Sequence, residues 1–268
     1  MRRLFLLPLF AFFACQNEAP QEALPPLQSV SFSQQVFESS DSSARGMLSL
    51  YFEDLQLKDS LYDLGDLEEK IRQNLLANNA NFDTVYGSYP AMMQGLSEEF
   101  KRLTAQNTED WFERWEYSQS VEVFLNEQGL FGLQSSHYSY TGGAHGNVYL
   151  GSQLYRLRDQ ARLTLDSLLL PGVRAELTTW SEAVFRQSNL VAADQSLSEA
   201  GYWFDEGFYL PEYFIYTRNG LDFVYGSYEV GPYAIGQPRF RLPYAELERF
   251  LREEYRVFEQ DGKVISSN

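Results

Sequence analysis

The two histidines of this 268-residue chain, His137 and His145, stand eight residues apart, one just before and one inside Tyr138-Ser-Tyr-Thr-Gly-Gly-Ala-His-Gly-Asn147. An imidazole titrates near neutral pH, so it can serve as a general base, a metal ligand or a hydrogen-bonding lock. Glycines beside aromatic residues mark backbone held in unusual φ/ψ or approached closely by a partner. Three readings of His145 follow. It locks the Gly142-Gly143 turn through a ring N–H to a loop carbonyl, it contacts a partner between Tyr138 and Tyr140 as amphipathic anchors, or it is a base or metal ligand. A second run, Tyr228-Glu-Val-Gly-Pro-Tyr-Ala-Ile-Gly-Gln-Pro238, carries Glu229 among tyrosines, glycines and prolines. If the two loops meet, Glu229 can reach His145, where its carboxylate would raise the imidazole pKa and hold one tautomer. Candidate contact residues are therefore Tyr138, Tyr140, Thr141, Gly142, Gly143, His145, Asn147, Tyr228, Glu229 and Tyr233. His145 and Glu229 are the catalytic candidates.

Other chemistries lack their residues. No Gly-x-Ser-x-Gly elbow, phosphate-cradling loop, calcium loop or His-Glu-x-x-His occurs, and each needs a particular spacing to place its ligands or nucleophile. No metal site and no cofactor is expected. A glycosidase needs only two carboxylates at a suitable separation, and 37 acidic residues leave that open.

The N-terminus reads as an export signal. Arg2 and Arg3 precede an apolar run from Leu4 to Phe13 and then Ala14-Cys15, a charged start and short apolar core too brief to span a bilayer as a helix. Cys15 is the sole cysteine and sits where a bacterial lipoprotein signal places the residue to be lipidated. Lipidation would leave the folded part without a thiol, which removes disulfides, Cys-ligated zinc and a cysteine nucleophile together. Gln16 after the cysteine points to the outer membrane of a Gram-negative bacterium, and residues 16–28, with three prolines, read as a tether. Net charge is −16, or −18 once Arg2 and Arg3 are removed. That balance opposes nucleic acid and favours a basic partner.

The elements that must carry the loops follow from apolar periodicity. Leu64, Leu67, Ile71 and Leu75 predict a helix with Asp66 and Glu69 as its capping box, and Met92, Leu96, Phe100 and Leu103 predict another opening at Pro90. From Trp111 the period becomes two, giving strands on both sides of Asn126–Gly129 and a third from Val148 to Leu157, with 141–147 as the loop between neighbours. Leu163–Leu169 reads as a short strand, Pro171 as the start of a helix bearing Val173, Leu177, Trp180 and Val184, and Asn219-Gly220 as a hairpin turn. A last helix presents Tyr244, Leu247, Phe250 and Leu251. The fold class is α+β, with two subdomains, each an antiparallel sheet packed with helices.

The two loops, with Leu163-Thr-Leu-Asp-Ser-Leu168 and Leu242-Pro-Tyr-Ala-Glu-Leu247, resemble the extracytoplasmic domain pair of the RsiV anti-sigma factor and the segment that accompanies the peptidoglycan deacetylase PdaC. The resemblance spans roughly 30–257 and implies a PdaC/RsiV-like unit over 29–140, a C-terminal unit of unknown function over 141–257 and a tail at 258–268. It also implies binding, since the RsiV domain docks lysozyme and the PdaC region accompanies the catalytic domain without being it. Deacetylases of that catalytic type need histidines four apart and an aspartate pair, neither of which is present. The expected role is a non-catalytic envelope module for a cell-wall glycan such as peptidoglycan or for a lysozyme-like protein, tied to the membrane through its N-terminal lipid. The rival expectations are a cell-wall glycan hydrolase using His145 and Glu229, and a structural subunit of an envelope complex.

Overall fold

The computed structural model describes residues 27–59, 62–78, 84–106 and 112–258. The export signal, Cys15, nearly all of the tether, Trp111 and residues 259–268 lie outside the described residues. Among those described, β1 (Ser31–Ser43), β2 (Gly46–Lys58), β3 (Glu113–Glu127), β4 (Leu130–Tyr140), β5 (Asn147–Arg156) and β6 (Ala161–Leu163) lie in chain order in one sheet. A second sheet holds β7 (Phe214–Thr217), β8 (Gly220–Val224) and β9 (Arg239–Pro243). The class is α+β, and neighbours are antiparallel except β2 and β3, which run parallel from Gly46/Glu113 to Phe52/Gln119. The expected antiparallel-rich α+β class holds, with this one parallel pair possible because helices α1 (Gly65–Ala77) and α2 (Tyr89–Gln106) intervene and supply the crossover that a parallel pair needs. Past Phe52 side chains replace the ladder. The Val121 N–H donates to the Glu53 carboxylate at 2.7 Å, and Gln34 Nε2 donates to the Val121 carbonyl at 2.7 Å.

Alternation along β3 turns Trp115, Tyr117 and Val121 toward α1 and α2, whose stripes Leu67/Ile71/Leu75 and Met92/Leu96/Phe100 close two adjoining cores. A bulge between Val123 and Leu125 then reverses the phase, as one extra residue must in a period of two. Leu125 consequently joins Leu130 and Leu154 in the third core, shared with the C-terminal helices and second sheet. Phe185 sits at the centre of that core, ringed by Tyr202, Phe204, Phe208, Tyr225 and Phe240 at 5.1–5.9 Å.

Several local expectations are corrected. The Asp66/Glu69 capping box does not form, because the helix already starts after Leu64, with no side-chain cap. Glu69 instead engages Arg72 and Gln73. Leu163–Leu169 is not a strand beyond Leu163. Thr164 and Ser167 form a reciprocal capping box that starts a single turn, α3 (Leu165–Leu168). Helix α4 (Arg174–Ser188) begins three residues after Pro171. At Asn219-Gly220 the turn residues are Arg218 and Asn219, while Gly220 is already in β8 at φ +130°. The expected unit boundary at 140/141 falls in the turn joining β4 to β5, which pair from Leu130/Arg156 to Ser139/Asn147. The first sheet continues past that turn to Leu163. The last α-helix, the single turn α5 (Tyr244–Leu247), buries Tyr244 and Leu247, and the 3-10 turn that continues it buries Phe250, with Leu251 next. No helix among the described residues is long and apolar enough to cross a membrane.

Candidate functional site

The loop at 141–146 is held by the strand that precedes it. Alternate residues of β4 share a face, so Tyr138 and Tyr140 project together. The Tyr140 hydroxyl donates to the Gly143 carbonyl at 3.0 Å and folds the loop back. Gly142 and Gly143 take φ of +110° and +98° with open space around them, so glycine is needed there for backbone conformation. Gly146 is needed for room: a Cβ would fall 2.3 Å from the Tyr138 ring. Burial, and then the nearby Glu116, Tyr140 and Tyr233, push the Tyr138 hydroxyl pKa up.

The second loop is built around a four-residue turn from Gly226 to Glu229. The Glu229 N–H donates to the Gly226 carbonyl at 3.2 Å, and the Gly226 N–H donates to the Glu229 carboxylate at 2.6 Å. This closure puts Tyr228 at φ +66°, in the left-handed region that costs an L-residue about 1–2 kcal/mol. The strain aims the Tyr228 side chain across at the first loop.

There the two loops meet. The His145 ring stacks on Tyr233 at 3.9 Å and 8°, and Tyr228 packs 5.7 Å from Tyr233. His145 Nδ1 lies 3.1 Å from the Gly146 carbonyl and Nε2 lies 3.0 Å from the Tyr228 hydroxyl. A carbonyl only accepts, so Nδ1 carries the proton and Nε2 accepts from the tyrosine. The expected lock of the Gly142-Gly143 turn falls to Tyr140 rather than His145, whose ring N–H goes to its neighbour Gly146 while the ring links loops from different sheets. Tyr228 and Tyr233 stay 47% and 42% exposed. The result is an exposed patch of aromatic rings tied to one another across the two loops.

Glu229 does not join His145. Its carboxylate accepts from the Gly226 N–H and, at 3.3 Å, from the Tyr209 hydroxyl, because closing the turn that positions Tyr228 uses that side chain. The expected His145–Glu229 pair is corrected accordingly. Thr141 and Asn147 are both exposed; Thr141 lines a recess with Phe112, Arg114, Tyr140 and the two glycines. The other histidine is internal. His137 is 3% exposed, its Nε2 is 3.0 Å from the Ser135 hydroxyl, and burial pushes its pKa down to about 4. Among the described residues no group of three or more His, Cys, Asp and Glu comes together as a metal site.

Sequence reasoning missed Tyr209, which anchors Glu229, and the contribution of strain at Tyr228. No local signal marks either, since both depend on where separate segments are packed.

Comparison with known proteins gives the chain its relatives. Residues 65–148, from α1 to the start of β5, match the family model described as Deacetylase PdaC. Residues 166–245, from α3 into α5, match the model described as Protein of unknown function (DUF3298). No curated protein matches. A solved DUF3298 family member from Bacteroides fragilis superposes with TM-score 0.67 at 17% identity, over 86% of this chain and 96% of that one. A DUF3298 family protein from Pseudomonas aeruginosa gives 0.59 at 19%, over 84% and 96%. At such identities the likeness is one of fold. The chain carries a PdaC-type segment followed by a DUF3298 segment, on the fold of the solved DUF3298 family proteins.

Proposed function

We propose that this chain is a non-catalytic binding module of the bacterial envelope, exported and held by lipid at Cys15, which takes a cell-wall glycan or a lysozyme-like protein on the surface made by its two aromatic-glycine loops. One observation carries the reading. His145 from the first sheet's loop is stacked on Tyr233 and hydrogen-bonded to Tyr228 from the second, which costs backbone strain and leaves the tyrosine faces outward. Rigid tyrosines offer large contact area at small entropic cost, and such side chains dominate binding energy at protein interfaces. The net charge of −16 supports a basic protein partner through electrostatic steering. Catalysis by His145 with Glu229 has no geometric support, since Glu229 turns to Gly226 and Tyr209.

Calorimetric titration with soluble muropeptides and, separately, with egg-white lysozyme tests the proposal. Binding of either, weakened about tenfold or more by Tyr233→Ala, that is about 1.4 kcal/mol or more, is the expected result. Heat from neither titrant, or equal binding by the variant, would overturn it.

A further inference from the structure

A second recess lies away from the aromatic surface, where the exposed face of β3–β5 meets the three-stranded sheet. It encloses about 700 Å³, a size common among small-ligand sites. Its β3–β4 wall is polar and in register, with Ser120 opposite Ser136 and Glu122 opposite Gln134. The Tyr213 hydroxyl donates to Gln134 Oε1 at 2.5 Å, and Gln134 Nε2 donates to the Glu122 carboxylate at 2.6 Å. That chain orients the wall's donors and acceptors before anything binds. On the facing wall Gln237 contributes a side-chain Nε2 that is buried yet has no acceptor among the described residues, and an unsatisfied buried donor is costly unless a partner completes it. Apolar Leu150, opposite Ser136 on β5, and Ile215, opposite Asp222 on β7, complete the lining.

Charge narrows the ligand further. Arg241 is neutralised by a two-pronged ion pair with Asp222, whereas Arg239, also lining the cleft, enters no ion pair among the described residues. A free guanidinium fork matches a carboxylate or a phosphate. Ser188, the last residue of α4, lines the same cleft, and the negative end of a helix disfavours a doubly charged phosphate. We propose that this cleft binds a hydroxyl-rich carboxylate, of the class of uronic and other sugar acids. Hydroxyls of the ligand meet Ser120, Ser136 and the Gln134–Glu122 pair, its carboxylate meets Arg239, and its C–H face lies on Leu150 and Ile215. The site is independent of the aromatic surface and stands whether or not that surface binds anything.

Trigalacturonate and the uncharged cellotriose are the probes, titrated into the full chain by calorimetry with amide-shift mapping by NMR. Trigalacturonate should bind and shift Ser136 and Gln237, cellotriose should bind about tenfold more weakly, and Arg239→Gln should weaken trigalacturonate about tenfold. Arg239→Lys, which keeps the charge without the fork, should fall between. Arg239 is exposed, so neither variant should alter the melting temperature. Tyr233→Ala should leave trigalacturonate binding unchanged, which separates this cleft from the aromatic surface. Absence of binding, equal affinity for both probes, full affinity in Arg239→Gln, or shifts confined to the His145 loop would each overturn the assignment.

Discussion

Replacing His137 by glutamine should change how the protein responds to acid. The imidazole is 3% exposed on the inner face of β4, and burial lowers its pKa from the usual 6.5 to about 4. A lowered value on a base means that the unfolded chain binds the proton more readily, so stability is lost as pH falls from 6.5 toward 4. At about 1.36 kcal/mol per pKa unit, the loss between pH 7 and pH 4 comes to about 3 kcal/mol. Asp54 acts in the opposite sense, because burial ahead of its bond to Arg72 raises its carboxyl pKa; that contribution is present at low pH and fades as pH rises through the folded value. It belongs to both proteins and cancels in the comparison. The assay is urea unfolding followed by tryptophan fluorescence at pH 7 and pH 4, for the parent and for His137→Gln. The parent should lose about 3 kcal/mol more than the variant over that interval, whatever the variant's absolute stability. A difference below about 1 kcal/mol, or an NMR titration of the His137 ring with a midpoint near 6.5, would refute the reasoning.

Three further outcomes follow from the packing. Gly146→Ala should displace the Tyr138 ring, because the new Cβ lies 2.3 Å from its far end, at a cost of about 1 kcal/mol or less since that half-buried ring can turn aside; thermal melting checks the cost, and unchanged Tyr138 ring shifts in NMR would contradict it. Phe185→Ala should cost about 3–5 kcal/mol in denaturant unfolding, since the ring fills the centre of the aromatic C-terminal core. Tyr228→Gly should relieve backbone strain at φ +66° and hold stability within about 1 kcal/mol of the parent, while weakening partner binding in the same titration that tests Tyr233→Ala.

Much of the fold was legible in the chain. The stripes Leu67/Ile71/Leu75 and Met92/Leu96/Phe100 are helix faces because apolar residues three and four apart can only be buried together on a helix. Period two from Trp115 to Val121 is a strand with one covered face. Boundaries were less legible. Thr164 with Ser167 makes a capping box as well as Ser or Thr with Glu does, and Asn219-Gly220 looks like a two-residue turn while the hydrogen-bond register sets the turn one residue earlier. The parallel pairing of β2 with β3 and the phase change at Phe124 are invisible to any local window, since both arise from which distant strand lies alongside.

By residue type alone the chain determined that 141–147 and 228–238 are aromatic-glycine loops, that its helices carry apolar stripes, and that Gly-x-Ser-x-Gly, phosphate-loop, calcium-loop and His-Glu-x-x-His motifs are missing. Those properties depend on neighbours a few positions away, which is the range over which periodicity and turn chemistry act. Only the tertiary structure decided that the two loops touch, that His145 takes Tyr228 and Tyr233 as partners, and that Glu229 is spent on closing its own turn. The meeting joins residues 83 apart. It is set by the bulge that turns Leu125 into the shared core and by the burial that seats the second sheet there, packing forces that no stretch of sequence expresses by itself.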